Sequence, residues 1–436
     1  MQTSTTPTVH AEQHHLIVGV ILLTLLALIY LAAQLASGGR PDPPALRAAA
    51  ILLDGPWRFH TGDDPSWASA TTDDHDWETI DMTASPGSHD GDVGLPDYVS
   101  GWSAHGHAGY NGYAWYRKEV NVPARDATWD ILGPTAVEDG YELYWNGTLL
   151  GGSGTLGAQP RLVNTRPLKF ALPGDAAGTR GVLALRVFML KRIGANPSGG
   201  GMRSPPILAP RPVSDDLHRA HWQRTIAGYV VDAIEPLAMF LLIGLALWIG
   251  PRSSHKQFLI FASIALALTA LRRLQNATIS WTDLIDLPTY SWLAQYLWPP
   301  TVAAWMFAWN RWCLRPWRSI DGSAVVLMLA AIAGIVLHYS TLTNASRYAS
   351  IALFAMMIVR IARNGPLRML STLILVLITL AFFSGELLDP LHVPGIWFPF
   401  GIGVSRTQYL YALFIPLLAI LVVRTLGATE RGSTNR

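Results

Sequence analysis

The chain has 436 residues, 50% of them hydrophobic and only 14% charged, against roughly 25% charged in soluble globular proteins. Its 32 basic and 30 acidic side chains leave a formal net charge of +2, so no broad electrostatic field exists to attract nucleic acid. A single cysteine, Cys313, excludes an intramolecular disulfide, and any exported domain must be held by its own core.

The first apolar segment, 16–36, carries no charge over 21 residues, which at about 1.5 Å per residue matches a hydrocarbon core of about 30 Å. It reads as an uncleaved signal anchor after a cytoplasmic N-terminus at 1–15. Small residues near Ala36 leave a cleavable signal peptide as the alternative. Either one delivers the polar stretch that follows, 40–220, across the membrane.

That stretch is rich in Gly, Pro, Asp, Trp and Tyr, with short apolar runs separated by turn residues, and reads as all-β. Asn146-Gly147 supplies the positive φ angles of a type I′ turn and predicts a hairpin between 141–145 and 148–150. Further strands are expected at 57–60, 113–121, 128–132, 168–172 and 182–190, a pattern that suits a sandwich or jelly roll.

Residues 61–97 hold ten acidic side chains and no Lys or Arg. They read as a turn-rich loop whose aspartates bind the local backbone. No cofactor is expected, calcium being the one alternative that such carboxylates would suit. His105 and His107, with His89 nearby, lack a third ligand at diagnostic spacing, so no metal site is expected. Trp102, His105, His107, Tyr110 and Tyr113 form a Gly-rich aromatic stretch and are the candidate ligand patch, since sugar rings pack their apolar faces on flat aromatic surfaces. Trp57, Trp67, Trp77 and Trp115 are assigned to the core.

Seven apolar segments follow between 227 and 425: 227–249, 257–271, 291–312, 323–339, 347–363, 369–386 and 407–425. With the polar domain outside, the cytoplasmic loops and the tail at 426–436 carry eleven Lys and Arg residues against four in the outer loops, as the positive-inside rule requires. The chain is therefore expected to be a multi-pass protein of a bacterial inner membrane with 40–220 in the periplasm. Trp292, Tyr296, Trp298, Trp312, Trp317 and Tyr409 fit interfacial belts, and Pro299-Pro300 should delay or kink one helix. Asp232 and Glu235 begin one segment while Arg272 and Arg273 end the next, so an ion pair between adjacent antiparallel helices is expected.

The motifs Asp54-Gly55-Pro56-Trp57-Arg58-Phe59, Asp73-Asp74 with Trp77, Tyr113-Ala114-Trp115-Tyr116-Arg117 and Tyr141 to Gly147 resemble the non-catalytic, galactose-binding-like jelly roll at the N-terminus of glycoside hydrolase family 2 enzymes. Joined to seven apolar segments, the arrangement resembles the bacterial seven-transmembrane receptors with diverse intracellular signalling modules. The resemblance implies a periplasmic sensor that binds a carbohydrate or similar small ligand and relays it through the bundle. Such receptors usually continue into an output domain, whereas here about a dozen residues follow the last segment, so a separate cytoplasmic signalling partner is implied. An accessory or transport protein for envelope polysaccharide, or a non-enzymatic interaction protein, remains the alternative. No Gly-x-Ser-x-Gly, P-loop, His-Glu-x-x-His or dinucleotide fingerprint is present, and no enzymatic activity is expected.

Overall fold

The computed structural model describes residues 19 and 42–425, except 125–126, 158–159, 191–198, 314 and 399–400. Apart from residue 19, the anchor expected at 16–36 lies outside the described residues, as does the tail at 426–436.

A short helix, α1 (Pro44–Ala49), leads into an antiparallel β-sandwich. Its strands are β1 (Ile51–Leu52), β2 (Pro56–Thr61), β3 (Glu78–Asp81), β4 (Gly112–Asn121), β5 (Trp129–Leu132), β6 (Val137–Glu138), β7 (Gly140–Trp145), β8 (Thr148–Ser153), β9 (Lys169–Ala171), β10 (Arg180–Met189), β11 (Gly201–Met202) and β12 (Ile207–Pro210). The larger sheet has the order β3-β2-β4-β10-β7-β8 and the smaller β1-β12-β5-β9, while β6 and β11 pair separately. Strand alternation explains the layering. Ala114, Tyr116 and Val120 of β4 and Leu183, Leu185 and Val187 of β10 face Trp129, Ile131 and Leu208 of the smaller sheet across one core. The β7–β8 hairpin turns at Asn146 and Gly147, whose φ angles are 49° and 87°, the conformation a type I′ turn needs.

The outer face of the larger sheet is covered too. The loop between β2 and β3 folds over it, packing Trp67 and Trp77 around Trp115 and Ala184. Arg117 points into this layer, where it is 1% exposed. Its Nε donates to Asp74 Oδ2 at 2.8 Å, and its Nη atoms donate to the carbonyls of Trp67, Ser69 and Thr72. One guanidinium thus ties the acidic loop to the sheet.

No polar linker follows the sandwich. Strand β12 runs directly into α2 (Arg211–Tyr229), which packs Val213 and Leu217 on Leu132, Ile207 and Ala209. The Ser214 hydroxyl donates to buried Asp130 at 2.7 Å. Seven further long helices follow among the described residues: α3 (Val231–Ile249), α4 (Lys256–Trp281), α5 (Leu287–Trp312), α6 (Arg318–Val336), α7 (Ser340–Asn364), α8 (Arg368–Phe382) and, after short α9 (Ser384–Leu388) and the ribbon β13 (Ile396–Trp397) with β14 (Val404–Ser405), α10 (Arg406–Arg424). From α3 to α8 each long helix packs on the next, and α10 packs on α8 and α3, closing a ring.

Among the described residues, five helical spans are long and apolar enough to cross a membrane: 211–252, α4, α6, α7 and α10. The bent pair of α8 with 384–391 makes six. The remaining long helix, α5, is rich in Trp, Tyr and Pro, which lowers its hydropathy although it is 26 residues long. Leu237, Leu241, Val326, Leu329 and Leu413 are exposed on the outside of the bundle, as lipid-facing positions should be.

Two expectations are corrected here. Trp298 and Trp312 are buried in the bundle core with Trp305 and Trp309 rather than set in an interfacial belt. Hydropathy and position along a segment cannot show which side of a helix a ring occupies. Pro299 and Pro300 do not delay the helix, which already begins at Leu287 and packs on its neighbours α4 and α6.

Replacing Arg117 with Met removes the donor from one half-buried carboxylate and three carbonyls. We expect Arg117→Met to destabilise the sandwich by about 2–4 kcal/mol, measured by denaturant unfolding followed through tryptophan fluorescence, with Arg117→Lys retaining part of the loss.

Candidate functional site

The site is built on one loop of the sandwich. His89 and Pro96 pair as an isolated bridge. Between them the Asp90 carboxylate accepts the backbone N–H groups of Asp92, Val93, Gly94 and Leu95 at 2.5–3.1 Å. This loop is wedged between the end of α2 and the segment before α10. A Cβ at Gly228 would lie 2.3 Å from Val93, and one at Gly403 would lie 1.6 Å from the Asp92 carbonyl oxygen. Glycine at both positions permits the close approach that brings Asp92 to the top of the bundle.

Beneath the loop lies a cavity of about 430 Å³. Asp92 and Asn164 come from the sandwich, Tyr229 and Asp232 from the α2–α3 junction, Arg273 and Asn276 from α4, Tyr290 from α5, and Ser405 and Gln408 from the start of α10. The Tyr229 hydroxyl donates to Asp92, and the Tyr290 hydroxyl donates to Asn276 Oδ1 at 2.9 Å. Arg273 organises the floor. Its Nε donates to Glu235 Oε2 at 3.0 Å, its Nη2 pairs with Asp232, and its guanidinium lies 5.1 Å from the centre of the Tyr411 ring.

Gln408 contributes through a capping box. Its Oε1 accepts the Ser405 N–H at 2.7 Å while the Ser405 hydroxyl accepts the Gln408 N–H. Its Nε2 then donates to Asp232 at 3.5 Å. Such a wall of carboxylates, amides, hydroxyls and one guanidinium matches a small polyhydroxylated molecule, which donates to the carboxylates and accepts from arginine and amide N–H groups. The volume is within the range of small-molecule sites.

The structure brings Asp232, Glu235 and Arg273 together but not Arg272. Consecutive helix residues diverge by about 100°, so Arg272 faces the other side of α4, 5.7 Å from the Phe382 ring centre.

The aromatic patch does not form one surface. Trp102 is fully buried in the sandwich core, with its indole N–H directed at the Tyr110 carbonyl at 3.4 Å. The Tyr110 hydroxyl bridges the Gly62 N–H and the Tyr113 carbonyl. His107 bonds Glu78 at 2.8 Å against Phe59, and His105 is exposed. Tyr113 is on the opposite, outer face, stacked under Arg186 and beside Phe188. None of the five lines the interdomain cavity.

The acidic run is likewise dispersed. Asp63 pairs with Arg186, Asp74 with Arg117 and Asp97 with Arg47, while Asp64 and Asp81 accept local backbone N–H groups. Among the described residues no group of three or more His, Cys, Asp or Glu side chains could hold a metal ion. These carboxylates are neutralised by arginine or satisfied by backbone and do not converge as calcium ligands.

Sequence reasoning missed Asp92, Asn164, Tyr229, Asn276, Tyr290 and Gln408. Only Gln408 carried a local signal, because Ser-x-x-Gln before an apolar run is a capping box.

Asp92 is exposed to the water of the cavity, at the junction of sandwich and bundle. Loss of bulk hydration, with Asp90 and Asp232 adding negative charge nearby, pushes its carboxyl up from the ordinary 3.8 to about 7. The folded state therefore binds this proton more tightly than the unfolded state. Its stabilisation is full below pH 3.8 and is lost as pH rises through about 7. We expect Asp92→Asn to flatten the decline in melting temperature between pH 5 and 8, read by thermal unfolding of the full chain in detergent. For the floor of the cavity, Arg273→Met should cost about 3–5 kcal/mol by stranding two carboxylates. Glu235→Gln should be non-additive with Arg273→Met and additive with Arg272→Met in a thermal-stability cycle.

No protein-family profile matches the chain, and no curated protein does. Solved structures with similarity include β-glucuronidase 2 of Bacteroides uniformis, at 19% identity and a TM-score of 0.26, covering 36% of this chain and 17% of that enzyme. A glycosyl hydrolase family 2 member from Bacteroides cellulosilyticus has 17% identity and a TM-score of 0.26, covering 37% and 20%. The β-glucuronidase of Ruminococcus gnavus has 16% identity and a TM-score of 0.26, covering 37% and 28%. This chain thus spans well under a third of the length of each of these three enzymes.

Proposed function

We propose that the chain is a receptor-like protein of a bacterial inner membrane, with the sandwich in the periplasm as a galactose-binding-like jelly roll and seven helices in the bilayer. A carbohydrate or similar small polar molecule binds in the interdomain cavity, and binding is relayed to a separate cytoplasmic signalling partner. The observation that carries this reading is that one cavity takes its walls from the sandwich and from the outer ends of α3, α4, α5 and α10. A ligand touching both bodies favours the arrangement in which both contacts are made, and only such a difference in affinity can shift an equilibrium.

Charge supports the orientation. Arg252, Lys256, Arg315, Arg318, Arg360 and Arg363 lie at the end of the bundle away from the sandwich, the end that the positive-inside rule keeps in the cytoplasm. The junction supports the relay. The Arg166 guanidinium binds the Trp281 carbonyl and Asp283, the Leu287 N–H donates to the Leu162 carbonyl, and α2 continues from β12 without a break. Movement of the sandwich therefore reaches α3 and α4 directly.

The test is a thermal-shift and calorimetric screen of the full chain in lipid nanodiscs against neutral mono- and disaccharides. At least one should stabilise the protein, and Asn276→Leu or Gln408→Leu should weaken that binding roughly tenfold. A screen with no stabilising sugar, or binding unchanged by both substitutions, overturns the reading.

A further inference from the structure

Arg272 is the charged residue that the interdomain site leaves unused. It lies nine residues before the end of α4, about 13 Å along the helix axis, and its guanidinium lies 5.7 Å from the centre of the Phe382 ring. Its Nε is buried and has no hydrogen-bond partner. Arg347 and Arg273, both of its own sign, act on it, and the other titratable groups within reach are the hydroxyls of Tyr411 and Tyr290. The nearby carboxylates are already committed: Asp232 and Glu235 to Arg273, and Glu386 to Arg347. A guanidinium at this depth without a counter-ion is expensive.

The side chain also lines a second cavity, of about 310 Å³, on the opposite side of α4 from the first. Gln295 comes from α5, Gly334 from α6, and Thr343, Asn344 and Arg347 from α7; no carboxylate is present in its walls. Trp298 also lines it, with the Arg347 guanidinium 4.5 Å from its ring centre. Gly334 lets α6 and α7 meet there, since a Cβ would lie 2.5 Å from the Thr343 hydroxyl. The walls thus offer amide and hydroxyl donors around a cation that lacks a partner.

We propose that this cavity is an anion site, in which Arg272 holds the carboxylate or phosphate group of a ligand and Gln295, Thr343 and Asn344 donate to its remaining oxygens. The planar guanidinium fork suits those two groups better than a spherical ion. The site is separate from the interdomain cavity and stands or falls independently of the sugar reading.

The experiment uses the full chain in nanodiscs of phosphatidylcholine, with melting temperature followed against inorganic phosphate and malonate at constant ionic strength made up with chloride. A second arm adds phosphatidylglycerol to the discs and omits both anions. A saturable rise with phosphate or malonate identifies a soluble anion, and a rise confined to the phosphatidylglycerol discs identifies a lipid headgroup. In either case Arg272→Met should abolish the response, and Arg272→Lys should weaken it roughly tenfold by losing the fork. If Arg272→Met does not fold, Asn344→Leu at the exposed rim should weaken the response several-fold. No rise in either arm, or a response unchanged in whichever variant folds, overturns the proposal.

Discussion

Three buried charges, Arg273 with Asp232 and Glu235, sit where a water-facing sandwich meets a bundle whose outside is apolar. Each alone would be costly there, and an arginine from the neighbouring helix pairs with both carboxyl groups. The cluster also closes the ring of helices. Asp232 begins α3, Arg273 belongs to α4, and Gln408 at the start of α10 donates to Asp232. First, second and last long helices are joined at their polar ends before their apolar faces meet below. Removing Arg273 would expose not one contact but the whole seam.

The same seam explains why the sandwich is not a tethered module. Glycines at 228 and 403 let the Asp92 loop press between α2 and the approach to α10, and α2 belongs to both bodies. It packs on the smaller sheet through Leu217 and passes within one residue into α3. The cavity between bodies so connected takes its walls from both.

Arginine recurs as the organising side chain, with a different outcome at each place. Arg117 gathers a loop, Arg273 neutralises two carboxylates, and Arg166 binds the sandwich to the α4–α5 turn. Arg272, one residue from Arg273, has none of these partners. Adjacent positions on a helix face different neighbours, so two arginines side by side in sequence serve two separate cavities.

Composition, hydropathy and turn chemistry were enough to divide the chain into a β region and a set of apolar helices. Asn146-Gly147 specified its hairpin because only positive φ satisfies that turn, and apolar runs bounded by turn residues marked two central strands at 113–121 and 182–190. The pairing of Asp232 and Glu235 with an arginine across two helices was also readable, since charge buried between antiparallel neighbours must be compensated. Tertiary structure alone decided which arginine, whether Trp102 faced a ligand or the core, and that Asp92, Tyr290 and Gln408 share one cavity. Those facts depend on side-chain direction around a helix and on contacts between residues far apart in the chain, and a one-dimensional pattern records neither.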